Sequence, residues 1–392
     1  MYPVRRMPGR TRDPRDVSAP DGSPIIECHQ QPFCATCWPR RVHLAGTGPR
    51  SVRPAVPVLR PLTSHLITET CPIPPLRLAL VAMRSEFGDP DANLASILDW
   101  MQQAAMENAG LVCFPEAALQ GYCTRPETIR ELAETVEGSR LGRIADAARA
   151  LNITAGVGTA LRCDGGLYNS FVFIGPDGFC GAQHKMHLCP ADHSYDPGAD
   201  WIVVDAAGWR VGATICFDAE YPEAARVLAL RSADLVVMPF ASGRRNRHDA
   251  PALPEQFSSD IRHWAPSRAY DNRIFVAGVN HAGRVHDPCG LAMSCPDEDA
   301  GDREWAPPGT FHQWPGYAFV IDPAGEIVAE TARAAHDASM LVVDLDPKDL
   351  RDNRLPFEVK GPGGMINGDP LAARRIDSFG ALTEPDRRGI DF

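Results

Sequence analysis

The chain has 392 residues, of which 44% are hydrophobic and 23% charged, and a formal net charge of -11. That length allows one large domain or two, and the acidic balance gives no reason to expect a nucleic acid or an acidic membrane surface as partner. No apolar run reaches the roughly 18 residues a spanning helix needs, and 12 scattered cysteines read as reduced, cytoplasmic thiols.

Residues 1–75 stand apart. They hold 14 of the 36 prolines, no Lys, and ten Arg against five acidic residues. This basic, Pro/Arg-rich extension shows little periodicity and is expected to be disordered. Cys28, Cys34 and Cys37 offer part of a zinc knuckle, whose second half is missing. The composition also fits a transit peptide or an over-long reading from an upstream start. Met83 falls inside the first strand.

Order is predicted from Leu76 to Met83, a strand with bulky residues at even positions. Asp91 is the expected N-cap of a helix carrying Leu94, Ile97, Leu98, Met101 and Ala105 on one face. Leu111–Phe114 is a short apolar strand, stopped by Pro115-Glu116. Residues 127–151 read as one helix, or as two broken at Gly138. Strands follow at 153–161 and 167–174. The second turns at Gly175-Pro-Asp-Gly178 into a hairpin partner running from Phe179 to His187. Further strands are expected at 201–204 and 209–215, a helix at 222–230, and a buried strand at 233–239. Residues 242–260 and 284–310 read as insertions. Between them lie a helix, 261–271, and a strand ending in Asn280. A hairpin around Pro323-Ala-Gly325 and a last strand at 340–345 complete the domain, which spans 76–350. A polar tail, 351–392, follows. Helices alternate with strands, yet neighbouring strands also form hairpins. The expected class is therefore α/β with a mixed sheet, and about a dozen strands favour two packed sheets over one.

Three residues share one context, at or just past the end of a strand: Glu116, Lys185 and Cys216. Strand ends converge on one rim, where sites are built. A thiol on a strand-to-helix bend lies near a helix N-terminus, which favours thiolate. Glu116 can take the thiol proton, and Lys185 with the backbone N–H of Phe217 can hold the anion formed by attack on a carbonyl or nitrile carbon. Each residue also has a bland reading: a buried thiol, a loop carboxylate, a hairpin lysine.

Phe114-Pro-Glu116, His184-Lys-Met-His-Leu188 and Ile215-Cys-Phe-Asp-Ala-Glu-Tyr-Pro-Glu223 resemble the three signature blocks of the nitrilase superfamily, the carbon–nitrogen hydrolases. Tyr168-Asn-Ser170, Arg268-Ala-Tyr-Asp-Asn272 and Ile321-Asp-Pro-Ala-Gly325 add to the resemblance. It implies a four-layer αββα sandwich with two mixed β-sheets and a homodimer or larger homo-oligomer, with the tail at the oligomer interface. It also implies a covalent mechanism on a small-molecule substrate: Glu116 as base, Lys185 as oxyanion stabiliser, Cys216 as nucleophile. No metal and no organic cofactor is implied. Asp192 best fits the family's fourth acidic position, one methylene shorter than the usual Glu, and His193 lies beside it. Phe217, Glu220 and Asn280 are assigned to substrate binding. Glu220 would meet an amino group of the substrate or pair with Arg226. Asp218, Glu223 and Arg226 read as braces of the bend. The Cys216 block resembles amidases more than nitrilases. The expected activity is hydrolysis of a small amide. N-carbamoyl amino acid hydrolysis, nitrile hydrolysis and a non-catalytic binding role are alternatives, as is metal-dependent regulation through Cys28, Cys34 and Cys37.

Overall fold

The computed structural model describes residues 73–122, 126–247, 259–286, 310–332 and 337–354, with parts of 357–382. The cysteines at 28, 34 and 37 and most of both insertions lie outside the described residues.

The elements run β1 (Leu76–Ala82), α1 (Pro90–Met106), β2 (Leu111–Cys113), α2 (Pro126–Leu132), α3 (Ser139–Leu151), β3 (Thr154–Cys163), β4 (Gly166–Gly175) and β5 (Gly178–His184). They continue with β6 (Val203–Ala206), β7 (Trp209–Ala213), α4 (Pro222–Leu230), β8 (Leu235–Phe240), β9 (Arg244–Arg247), α5 (Ser259–Tyr270) and β10 (Phe275–Asn280). Last come β11 (Ala282–His286), β12 (Thr310–Pro315), β13 (Ala318–Ile321), β14 (Ile327–Glu330), β15 (Ser339–Leu345), α6 (Pro347–Arg354), and a terminal hairpin of β16 (Phe357–Gly361) and β17 (Gly364–Gly368). Among the described residues no helix is long and apolar enough to cross a membrane.

Two six-stranded mixed sheets form the body, in the orders β15-β1-β2-β3-β4-β5 and β14-β13-β10-β8-β7-β6. Period-two alternation decides what each face meets. In the first sheet Leu78 and Leu80 point inward with Phe171 and Phe173, against Val211, Val237, Ala277 and Val320 of the second. The residues between them, such as Ala79, Val81 and Val157, point outward onto Leu94, Ile97 and Met101 of α1 and Leu141 and Ile144 of α3. On the far side Val236, Met238 and Val276 meet Ala224 and Leu228 of α4 and Ala265 and Ala269 of α5. The result is the expected αββα sandwich.

Local chemistry explains two boundaries that differ from expectation. The N-cap of α1 is Asp89, not Asp91: its carboxylate accepts from the Ala92 N–H at 3.0 Å. Pro90 takes the first helical position, where its missing N–H costs nothing. Asp91 instead pairs with Arg140 at 2.8 Å. Part of each expected insertion is also ordered strand: β9, β11 and β12 form a small antiparallel sheet.

Candidate active site

Glu116 lies just past β2, and its side chain is fully buried. Gly158 on β3 makes this possible, because a Cβ there would collide with the backbone of Pro115 and Ala117. Ala117 then turns with φ 50°, and the Glu116 carbonyl accepts from His281 Nε2 at 2.6 Å. Lys185 follows β5 directly and is also fully buried. Its Nζ donates to Glu116 Oε1 at 2.8 Å and pairs with Asp192 Oδ2 at 2.7 Å. Asn169 Nδ2 donates to the same Glu116 oxygen at 2.8 Å and reaches Asp192 Oδ1 at 3.4 Å. Glu116 Oε1 is thus doubly held, while Oε2 is buried with no hydrogen-bond partner among the described residues.

Cys216 begins a 3₁₀ turn, Cys216–Glu220, between β7 and α4. Its φ of 49° is a conformation that costs an L-residue energy and is kept only where the surroundings enforce it. One enforcing group is Asp218. Buried beneath the turn, its carboxylate accepts from the N–H groups of Met186 (3.2 Å), His187 (2.7 Å) and Ile215 (3.3 Å). That ties the segment after Lys185 to the bend that carries Cys216. Asp218 therefore braces the bend as expected, chiefly through backbone amides.

The electrostatics correct one expectation. The helix end does not leave Cys216 as a low-pKa thiol. Burial raises it well above its ordinary value and the Glu116 carboxylate raises it further; Lys185 and a backbone hydrogen bond at Ala241 oppose them. The helix α4 starts six residues later, at Pro222, and the dipole field fades within a turn. Burial also raises the Glu116 carboxyl, against the pull of Lys185. For Lys185, burial favours the neutral amine, but the carboxylates of Glu116 and Asp192 oppose it and hold the proton. The resting site is a neutral thiol beside an ion-paired ammonium.

The other sequence-derived residues divide. Asp192, not His193, joins the cluster: Asp192 is 1% exposed, and His193 faces solvent. Phe217 packs edge-on against Tyr221 at 5.5 Å. The Asn280 amide is spent on backbone, donating to Ser242 O at 2.8 Å and accepting from the N–H groups of Ser242 and His281. It holds the Ser242 segment from behind. Glu220 opens onto a cavity of about 90 Å³ that also reaches Cys216. Arg226 and Glu223 instead line an outer cavity with Arg268 and Arg374. Trp264 is a wall of the Cys216 cavity. Asn169 and His281 were not singled out as site residues. The signal for Asn169 was its place in the Tyr168-Asn-Ser170 block, ahead of an apolar run in β4.

A buried carboxylate–lysine–carboxylate cluster and a strained thiol are thus set at the strand ends of an αββα sandwich. Residues 77–354 match the carbon–nitrogen hydrolase family, and the chain belongs to that family, the nitrilase superfamily. An (R)-stereoselective amidase of a Pseudomonas species is 28% identical over 315 residues, 80% of this chain and 97% of its own. A nitrilase of Pyrococcus abyssi is 35% identical over 212 residues, 53% of this chain and 76% of its own. Among solved structures, an amidase from Nesterenkonia sp. AN1, with the acetamide moiety of fluoroacetamide covalently added at its active-site cysteine, superposes with a TM-score of 0.56. That match is at 22% identity and covers 77% of this chain and 95% of the other.

Proposed function

We propose that the protein hydrolyses a small amide through a thioester on Cys216. The observation that carries this reading is the asymmetry of Glu116: one carboxylate oxygen is fixed by Lys185 and Asn169, and the other has no partner among the described residues. The free oxygen takes the thiol proton as sulfur attacks the amide carbon. A thiol held neutral by burial needs such a base. As the S–C bond forms, the carbonyl oxygen becomes an oxyanion. Lys185 stabilises it with the Phe217 N–H, which has no intrahelical acceptor at the start of a turn. The C–N bond then breaks, and the nitrogen leaves as ammonia or amine with the proton from Glu116. Water next gives a proton to Glu116 and its hydroxyl to the thioester carbon. The C–S bond breaks, the thiol is restored, and a carboxylic acid leaves.

Asp192 fills the fourth acidic position in this scheme. It keeps Lys185 charged without touching Glu116 Oε2. The relatives named as amidases support amide over nitrile chemistry, and the ordered Glu116–Lys185–Asp192 cluster favours an enzyme over a binding subunit. Ammonia release from a panel of aliphatic amides tests the reading. Cys216→Ala abolishes release while the circular dichroism spectrum is retained. Turnover by that variant at the wild-type rate would sink the mechanism.

A further inference from the structure

Resting on that reading, we infer that the enzyme selects amides whose acyl chain carries a primary ammonium group, and that Glu220 is the residue that selects them. The cavity at Cys216 is narrow and nearly apolar. Met238 and Phe240 from β8, Ile261 and Trp264 from α5, and Phe319 from β13 make its walls. Its volume of about 90 Å³ is far below the several hundred typical of drug-sized ligands, so it takes a short chain of methylenes. Among the described residues lining it, Glu220 alone is charged; the uncharged polar groups are the thiol, the Ser242 hydroxyl and the Trp264 indole N–H.

The Glu220 carboxylate is available. It is exposed at the cavity mouth, and no described residue forms an ion pair with it. Arg226, the partner weighed from sequence, lines the outer cavity. Arg268 approaches the same turn but spends its guanidinium on the backbone carbonyls of Ala219 (3.3 Å) and Glu220 (2.8 Å) and lies over Trp264. The backbone of Glu220 is therefore clamped, while its side chain has no ion-pair partner among the described residues.

Spacing sets the chain length. A 3₁₀ turn rises about 2 Å per residue, so Cys216 and Glu220 lie about 8 Å apart along it. A chain of three methylenes between the reacting carbonyl and the ammonium spans that gap once the Glu220 side chain is counted. An acyl group ending in a carboxylate would place two like charges at the same mouth. That argues against N-carbamoyl amino acids and dicarboxylic monoamides.

Three amides of similar size separate the possibilities: 4-aminobutanamide (cationic), pentanamide (neutral) and succinamate (anionic). The wild-type kcat/KM should fall in that order. In Glu220→Gln the ratio of 4-aminobutanamide to pentanamide should drop about fivefold, near the upper end of what one partly solvated ion pair supplies. In Glu220→Lys succinamate should overtake 4-aminobutanamide. Preference for succinamate by the wild type, or a ratio unmoved by Glu220→Gln, overturns the assignment while pentanamide turnover leaves the amidase reading standing. Failure to turn over any of the three, with no acyl group on Cys216, overturns both.

Discussion

In the proposed mechanism the Glu116 carboxyl is the base, yet it lies where charge is costly. Burial lifts its pKa, so its ionised form is populated only above the ordinary carboxylate range. The proposed mechanism requires that form. The acid limb of the kcat/KM profile is therefore expected above the usual carboxylate value, and Glu116→Gln should remove that limb with a loss of about a hundredfold or more in rate. A limb unchanged in that variant would move the base elsewhere. His281 makes a separate pH prediction. Its Nε2–H holds the Glu116 carbonyl, and burial lowers its pKa from 6.5 to about 4. The unfolded chain then binds a proton that the folded chain refuses. Stability is complete above 6.5 and declines as pH falls toward about 4, by about 3 kcal/mol in all. Urea midpoints across that window should show the decline, and His281→Asn should flatten it.

Glu116, Lys185 and Cys216 each lie just past the end of a strand, and the fit is tight enough to test. Gly158→Ala puts a methyl against the backbone of Pro115 and Ala117. It is expected to cost about 2 kcal/mol and to lower kcat, because Glu116 must shift. Thermal melting and turnover measured together check it, and an active, undiminished variant would mean that the segment yields freely. The strands that place the site were legible because both faces are buried, which leaves near-continuous apolar runs such as Leu111-Val-Cys113. The α4 helix was legible from Pro222 onward for its N1 proline. The small sheet was not, because Arg244-Arg-Asn-Arg247 has no apolar alternation and is a strand only through its pairing with β12. Asp218 was read as an ion-pairing brace from its charge. Its backbone partners Met186 and His187 come from the far side of the sandwich, which no local pattern reveals.

The whole molecule divides the residues of the proposed mechanism between its layers. One sheet supplies Glu116, Lys185 and Asn169, and the other supplies Cys216 and His281. Hydrogen bonds cross between them at the site, among them Asp218 to the backbone after Lys185 and His281 to the carbonyl of Glu116. The sandwich core therefore sets the reacting geometry, and the site exists only when both sheets are docked. Which amide enters was the least legible feature, since the cavity at Cys216 is lined from β8, α5 and β13, over a hundred residues of chain. The acyl intermediate tests the account most directly. Wild-type enzyme quenched in acid during turnover of an aliphatic amide, digested and examined by mass spectrometry, should carry the acyl mass on the peptide containing Cys216. The mark should be absent in Cys216→Ala and cleared by hydroxylamine. An acyl mass on another residue, or steady turnover with Cys216 never modified, would contradict it.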